Sequence, residues 1–280
     1  MAIVDFILNL AGLLLWIKWR SLPFDPFNKR IPATLVGTLR RAAPSRFRRW
    51  HLLAGIALLL VLRALFYWQI GSATRWTGRL NLGVTTLYFR SDWFDHILLF
   101  SVLSFGLTLG VFYVCLLLFS ILAGRTAVEQ PSHRLVRMPL GGVDLWPRRA
   151  KIFLPLAVTA LLWWLLSWWL AWLRIIPDPA SMPHRIISAL VIGLGSYMVW
   201  KYVAAVLLVL HLLNTYVYFG RHPFWNYVDA IAETLLQPLE KIPLRAGKVD
   251  FAPVVGIAAV FFIGQLAEAG LSKLYERFSF

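Results

Sequence analysis

The run "ILLFSVLSFGLTLGVFYVCLLLFSILA", residues 97–123, decides the class of fold because it contains no charged side chain. A helix needs about 20 apolar residues to cross the roughly 30 Å of hydrocarbon in a bilayer, and this run is longer than that. The rest of the chain has the same character: 59% of its 280 residues are hydrophobic, 15% are charged, and the mean hydropathy is +0.68. The sequence therefore predicts an integral membrane protein.

Further apolar runs set the number of spans. Four of them are as clear as the first, at residues 52–70, 152–176, 187–219 and 254–271, and a shorter one lies at 2–17. Because lipid offers the backbone no hydrogen-bond partners, such spans must be helical. We expect an all-α polytopic protein with about six transmembrane helices and no β-sheet, or five helices with a re-entrant or peripheral N-terminal segment.

The basic residues are distributed unevenly between the loops. Residues 18–50 hold nine Lys and Arg, 125–151 hold six and 220–252 hold four, whereas 71–92 hold three and 177–185 hold one. Short cytoplasmic loops are enriched in these residues, so the heavily basic loops are predicted to lie inside and both termini outside. A bacterial inner (plasma) membrane is the expected location. Anionic lipid head groups account for the formal charge of +15 without nucleic acid.

One phrase occurs twice, as "RMPLGGVDLWP" at residues 137–147 and "KIPLRAGKVDFAP" at 241–253. Each copy follows one long apolar run and directly precedes another, so the repeating unit is a span, a basic loop and a span. The predicted organisation is an N-terminal membrane hairpin with a basic loop (1–92), a first unit (93–185) and a second unit (186–280). Two spans per unit would insert both copies in the same orientation.

Each copy of the phrase predicts the start of a helix. Asp144 and Asp250 can accept hydrogen bonds from the first free N–H groups of the helix that follows. Pro147 and Pro253 would then lie in the first turn, where a missing N–H costs little. Alternatively, each proline is the first helical residue and the residue before it is the cap. In either case the two aspartates are expected on the same side of the membrane at similar depth. Each carboxylate is expected within hydrogen-bond distance of an N–H of its helix's first turn, or else of a basic side chain from the neighbouring loop.

An amphipathic helix is predicted at "FWNYVDAIAETLLQPLEKIP", residues 224–243, because apolar and polar side chains each recur at steps of three and four. We expect it to lie in the membrane interface and to end at Pro238 and Pro243. Its acidic face is expected to pair with basic residues of this chain or of a partner. The apolar face is Trp225, Val228, Ala232, Leu235 and Leu239, and the polar face is Asn226, Asp229, Glu233, Gln237 and Glu240.

Charged side chains inside spans are costly and often mark a function. The candidates are Arg63, Arg174 and Lys201. Arg63 is expected to be paired or to extend towards the interface, and Arg174 lies close enough to its span end to do so. Lys201 shares a span with His211 and Asn214, which could line a proton or ion route. We favour hydrogen bonds from His211 and Asn214 to a neighbouring helix.

The sequence contains no recognisable catalytic or metal-binding motif. Cys115 is the single cysteine, zinc-type Cys/His spacing is absent, and Walker, G-x-S-x-G and H-E-x-x-H motifs are absent. Of six histidines only His211 lies well inside a span, which does not suit a haem held by two histidines. We expect no enzyme and no cofactor. Five of the fourteen tryptophans fall within residues 163–172 and predict a broad aromatic packing face.

The second unit resembles the YggT family of small bacterial and plastid membrane proteins. The likeness rests on "RHPFWNYVDAIAETLLQPLEKIP" followed by "VDFAP", covers roughly residues 211–262, and extends to the first unit only through "HRLVRMPLGGVDLWP". Two tandem units are usual in that family. The chain departs from the family pattern with His222 in place of Asn before Pro223, with Trp146 and Ala252 in place of Ser, and with Glu240 and Lys241 in place of paired arginines.

The resemblance implies a non-enzymatic accessory or assembly role, exerted through other membrane proteins or as a subunit of a larger complex. Relatives are associated with cofactor assembly into cytochrome complexes of photosynthetic membranes and with division and osmotic-stress machinery. The main alternative is a channel or transporter with a polar route near Lys201 and His211.

Overall fold

The computed structural model describes residues 2–21, 49–74, 76–123, 131–177, 181–217, 222–239, 243–246 and 249–279. Most of these residues are helical, as the apolar runs predict. The helices are α1 (Ala2–Ser21), α2 (Arg49–Thr74), α3 (Phe94–Leu122), α4 (Arg134–Leu140), α5 (Arg148–Trp172), α6 (Met182–Gly195), α7 (Val199–Tyr216), α8 (Pro223–Leu236) and α9 (Ala252–Ser279).

Among the described residues, five helical segments are long and apolar enough to cross a membrane, so the all-α polytopic architecture is confirmed. The helix α1 covers the predicted sixth segment, carries Asp5, Lys18 and Arg20, and is not among the five. Whether α1 spans therefore stays a prediction. The candidate spans are Trp50–Gly71, Phe94–Leu122, Arg148–Trp172, Met182–Tyr216 and Ala252–Arg277.

The expectation that the protein contains no β-sheet is wrong, because two-stranded sheets form in the loops. Strands β1 (Thr77–Asn81) and β2 (Thr86–Arg90) pair, and β3 (Arg245–Ala246) pairs antiparallel with β4 (Val249–Asp250). In the first hairpin Asn81 Oδ1 accepts a hydrogen bond from the backbone N–H of Gly83 at 2.7 Å, and Gly83 adopts a φ of 84° that favours glycine. Both hairpins lie between spans and neither interrupts one, so the helical spans are unaffected.

The chain divides into two compact units, the first of which comprises residues 1–77 and 90–108. In this unit α1 packs along α2. Gly12 allows a close approach, because a Cβ there would lie 2.7 Å from the ring of Phe105. Tyr67, Phe100 and Ile97 are almost fully buried, so this unit has an apolar core of its own.

The second unit comprises residues 78–89 and 109–280. An apolar cluster joins the end of α3 to α4, α7 and α8 through Leu117, Leu140, Leu207 and Ile231. The helices α6 and α7 follow one another through a single 3₁₀ turn, Ser196–Met198. A Cβ on Gly193 would lie 3.0 Å from the Leu156 carbonyl oxygen, so a glycine is needed where α6 crosses α5.

The end of α5 turns sharply at Arg174. This residue is exposed and has a φ of 54°, in the left-handed region that commonly follows the last turn of a helix. The N–H of Ile175 donates to the Leu170 carbonyl and the N–H of Arg174 donates to the Ala171 carbonyl, both at 2.9 Å. These bonds satisfy the free carbonyls of α5 and direct the chain towards α6.

Candidate functional site

A buried polar cluster surrounds Asp144, which lies in the 3₁₀ turn Gly141–Leu145 before α5. Its Oδ1 accepts a hydrogen bond from Ser120 Oγ at 2.5 Å, and its Oδ2 lies 3.3 Å from His133 Nε2. Lys151 donates to Ser120 Oγ at 2.8 Å, and its Nζ lies 3.8 Å from Asp144 Oδ1. His133 Nδ1 lies 3.2 Å from the Tyr227 hydroxyl on α8. These five side chains form the Asp144 cluster.

The charges of the Asp144 cluster are compensated by other members of the cluster. Burial alone would raise the pKa of Asp144, but the hydrogen bond from Ser120 and the neighbouring His133 and Lys151 outweigh it and lower that pKa. The carboxylate is thus ionised and can only accept, so His133 Nε2 must carry the proton it shares with Asp144. Burial, followed by the charge of Asp144, raises the pKa of Tyr227, which stays a neutral phenol.

Burial also limits what the cluster can do chemically. His133 is 3% exposed, and the Asp144 side chain is 8% exposed. Ser120 donates its proton to Asp144 and accepts from Lys151, so each group is engaged with another group of the cluster. An arrangement without an open side suits a structural joint between α3, α5 and α8 better than a catalytic centre.

The predicted capping role of Asp144 is wrong. Pro147 occupies the cap position of α5, and no side-chain hydrogen bond caps the helix. The alternative, in which Pro147 is the first helical residue and Trp146 the cap, is also wrong. Asp144 lies one 3₁₀ turn earlier and there pairs with His133 of the loop and Lys151 of α5, so the alternative of a basic side-chain partner is confirmed. The carboxylate therefore fixes the start of the span by pairing, with no direct bond to the helix N–H groups.

The second copy of the phrase differs in local structure. Asp250 lies in β4, and the carbonyl of Phe251 accepts the first helical hydrogen bond from Val255 at 3.0 Å. Phe251 thus holds the cap position of α9, whereas a hydrogen bond from the first turn to the Asp250 carboxylate stays a prediction. Pro253 is the second residue of α9, as expected for the first turn. The side chain of Asp250 lies outside the described residues, and equal membrane depth for the two aspartates stays a prediction.

The lowered pKa of Asp144 predicts a pH dependence of stability. Because the folded-state pKa lies below the unfolded value of 3.8, the carboxylate stabilises the fold above about pH 4. That contribution is lost as the pH falls through the folded-state pKa. We expect wild type to be more stable than Asp144→Asn at neutral pH, and the difference between their unfolding temperatures to shrink below about pH 4. Thermal unfolding of both proteins in detergent micelles across this range measures the difference.

The matched control for this titration is Asp92→Asn. Asp92 is largely exposed and faces Arg90 at 3.5 Å, so removing its charge should cost little at any pH. A difference between wild type and Asp144→Asn that stays constant from neutral to acidic pH would contradict the ionised, paired state of Asp144.

Lys201 on α7 is buried and pairs with Glu268 on α9. Gly264 makes this pairing possible, because a Cβ there would lie 2.7 Å from the Lys201 Cδ atom. The lysine side chain therefore crosses α9 at the glycine and reaches the carboxylate one helical turn further on. The sequence analysis placed no acidic partner near Lys201, and this ion pair corrects it.

His211 and Asn214 both bind Asp229. His211 Nδ1 lies 2.8 Å from Asp229 Oδ1, and Asn214 Nδ2 donates to Asp229 Oδ2 at 2.7 Å. The favoured prediction, hydrogen bonds from this side of α7 to a neighbouring helix, is confirmed. The neighbour is the amphipathic helix α8. The acidic face of α8 was expected to pair with basic residues, and His211 is such a residue.

The amphipathic helix is confirmed at Pro223–Leu236. Its buried face contains the predicted Val228 and Ala232 together with Tyr227, Ile231 and Leu236, so it is rotated slightly from the predicted stripe. Trp225, Leu235 and Leu239 are half-buried, whereas Asn226, Glu233 and Gln237 are exposed. Glu240 and Lys241 lie outside the described residues.

The prolines mark the ends of α8. Pro223 is its first residue, and His222 at the cap position accepts a hydrogen bond from the Phe224 N–H at 3.2 Å. His222 thus supplies the acceptor that Asn would supply at a cap. Pro238 and Pro243 are both exposed, and Pro238 lies two residues beyond the last residue of α8.

In the first unit, the side chain of Arg63 on α2 is completely buried and forms an ion pair. Its Nη2 lies 2.6 Å from Asp5 Oδ1, and its Nη1 donates to Asn9 Oδ1 at 2.7 Å. Ser104 Oγ accepts from Nη2 at 3.0 Å, and the Tyr67 hydroxyl donates to the same Asp5 oxygen at 2.7 Å. Of the two predicted outcomes, pairing is confirmed. Asp5 on α1 was not predicted as the partner.

No group of three or more His, Cys, Asp and Glu side chains that could hold a metal occurs among the described residues.

The tryptophans of α5 differ in exposure. Trp163 is buried, whereas Trp169 is 68% and Trp172 is 81% exposed. This helix therefore has a tryptophan packed in the protein interior as well as tryptophans on its exposed surface.

The apolar helices and their paired charges define a polytopic helical membrane protein. A family model described as CCB3/YggT matches residues 189–271, from within α6 to within α9. The resemblance of the second unit is thereby confirmed, and this part of the chain is similar to CCB3/YggT proteins. The matched residues do not include 93–185, so the tandem first unit stays a prediction. No curated protein and no solved structure matches the chain.

Proposed function

We propose that the chain is a non-enzymatic membrane accessory or assembly protein that acts through other membrane proteins, or as a subunit of a larger membrane complex. The observation that carries this proposal is the position of Gln265. It lies near the midpoint of the candidate span Ala252–Arg277 and is exposed. It makes no hydrogen bond with any residue in the described part of the chain.

An exposed amide in the middle of a span is costly in lipid, because hydrocarbon offers it neither donors nor acceptors. The same amide is favourable when a second transmembrane helix hydrogen-bonds to it. Interhelical hydrogen bonds of this kind contribute about 0.6–2 kcal/mol. Gln265 therefore supports association with another helix.

Neighbouring side chains extend this site into a face. Phe262 is 64% and Leu266 is 60% exposed, and Ala269 is also exposed. Together with Gln265 they recur at steps of three and four, so they lie on one side of α9 and form its partner face. The small Ala269 allows a second backbone to approach closely. A polar centre flanked by large apolar side chains and a small residue suits a partner transmembrane helix.

The paired charges argue against the alternative of a channel or transporter. Lys201 is bound to Glu268, and His211 and Asn214 share Asp229. A conducting route needs polar groups that face a water-filled path, whereas these groups satisfy one another in ion pairs and hydrogen bonds. The proposal places the chain in a bacterial inner membrane with its basic loops on anionic lipid head groups, as the loop charges indicate.

The substitution Gln265→Leu is expected to weaken the association. Loss of an interhelical hydrogen bond should reduce the amount of partner retained in mild detergent by roughly three- to thirtyfold. The matched control is Gln265→Asn, which keeps the amide and should retain more partner than Gln265→Leu. Quantitative mass spectrometry of proteins that co-purify with each variant, at equal yield of the chain, measures the effect.

Two results would contradict this proposal. One is an unchanged set of co-purified proteins for wild type, Gln265→Leu and Gln265→Asn. The other is a specific ion flux through wild type in liposomes that Lys201→Met abolishes, which would favour the transporter instead.

A further inference from the structure

A cavity of about 170 Å³ lies in the second unit, where α5 ends and α6 begins. The hairpin β1–β2 contributes Thr86 to its wall, α6 contributes His184 and Arg185, and α9 contributes Tyr275. Its volume is well below the roughly 300–1,000 Å³ of sites for drug-sized ligands, so it suits a small group. The Asp144 cluster, Lys201 and the partner face of α9 do not line it.

Arg185 gives this cavity its chemical character. The residue is only 8% exposed, and its Nη1 is buried without a hydrogen-bond partner among the described residues. The guanidinium lies over the ring of Trp168, with Cζ 3.8 Å from the ring centroid. This stacking fixes the plane of the guanidinium and supplies no hydrogen-bond acceptor. A buried cationic donor without an acceptor is costly, so Arg185 favours an anionic acceptor in this cavity.

The backbone adds a second positive contribution. Arg185 lies in the first turn of α6, a helix of fourteen residues whose cap residue Ser181 makes no side-chain cap bond. Instead, Ser181 Oγ lies 2.6 Å from His184 Nδ1. The cap residue therefore offers no side-chain acceptor to the N–H groups in the first turn of α6. This end of the helix attracts anions.

We propose that this cavity binds a phosphate group through Arg185. Guanidinium groups match phosphate oxygens in a bidentate geometry, and the remaining oxygens can be met by the Thr86 and Tyr275 hydroxyls and by His184. The group could be supplied by a phospholipid head group or by a soluble phosphate, since both present the same oxygens. The site is independent of the proposed partner face.

The experiment uses the full chain purified in a neutral detergent. Thermal unfolding is followed during titration with inorganic phosphate, with chloride at equal ionic strength as the reference. In a second arm, the chain is placed in nanodiscs of phosphatidylglycerol or phosphatidylcholine, and retained lipid is counted by native mass spectrometry. A response to inorganic phosphate identifies a soluble source, and retention of phospholipid alone identifies a head group.

Arg185→Gln is expected to bind the phosphate group roughly tenfold more weakly, because a charge-assisted hydrogen bond is lost. The matched control is Arg174→Gln, which removes an exposed positive charge from the same loop, does not alter the cavity wall, and should bind like wild type. Should Arg185→Gln fail to fold, Arg185→Lys keeps the charge without the fork and should bind with intermediate affinity. Equal binding by wild type and either Arg185 variant, or no binding by wild type in both arms, would overturn the site.

Discussion

Replacing Asp5 by Ala is expected to lower the free energy of unfolding by about 3–5 kcal/mol, the usual cost of removing one partner from a buried ion pair. The Arg63 side chain is completely buried, and Asp5 is the acidic residue bound to it. Without Asp5 the guanidinium would remain in a low-dielectric setting with only the neutral acceptors Asn9 and Ser104. Unfolding by SDS titration in mixed micelles measures the change.

Two further variants separate the ion pair from other effects at this position. The double variant Asp5→Ala, Arg63→Met removes both charges and should recover much of the lost stability. Asp95→Ala, an exposed carboxylate in the first turn of α3, should change stability by less than about 0.5 kcal/mol. A small effect of Asp5→Ala, or a double variant that is less stable than the single one, would show that Arg63 does not depend on Asp5.

Replacing Asp144 by Ala should produce the other large effect, a loss of about 3 kcal/mol or more in the free energy of unfolding. The carboxylate accepts a hydrogen bond from Ser120, lies beside His133 and neutralises the buried Lys151 ammonium. Its removal leaves the buried Lys151 ammonium with Ser120 as its hydrogen-bond acceptor.

The coupling between Asp144 and Lys151 tests the cause of that loss. In a double-mutant cycle, Asp144→Ala with Lys151→Met should be less destabilising than the sum of the two single variants by about 1 kcal/mol or more. Additive losses would mean that Asp144 acts only through Ser120 and the turn Gly141–Leu145.

The spans and the amphipathic helix could be predicted because their signals are local. An uncharged run longer than a bilayer fixes a span, and three- and four-residue steps fix the buried face of α8 to within a small rotation. The hairpin β1–β2 also had a local signal that the sequence analysis did not use. In "TGRLNLGVTTLYFR", residues 77–90, two short runs flank an Asn-Leu-Gly turn, and Leu80, Leu87 and Phe89 alternate into the core.

The charge pairs could not be predicted, because each joins residues far apart in the chain. Arg63 and Asp5 are separated by 58 positions, Lys201 and Glu268 by 67, and His133 and Tyr227 by 94. Local periodicity does not determine which helices become neighbours, so it cannot assign such partners. Asp144 has a cap-like sequence context, yet burial beside His133 and Lys151 gives its carboxylate stronger partners than helix N–H groups.

Gln265 carries a weaker signal in the sequence than the charged residues, because a neutral amide within a span is less costly than a charge. It is nevertheless visible as a polar residue within an apolar run. Its exposure, however, depends on which face of α9 packs against α7, and Gly264 determines that contact.

The most direct test of the proposed function is photocrosslinking from position 265 in intact membranes. A photoreactive phenylalanine analogue is introduced in place of Gln265, and in parallel in place of Leu161, a 58% exposed residue on α5. The proposal predicts a discrete protein adduct from position 265 that is absent or much weaker from position 161. Adducts with lipid alone from position 265, or the same protein adducts from both positions, would contradict the partner face and with it the proposed accessory role.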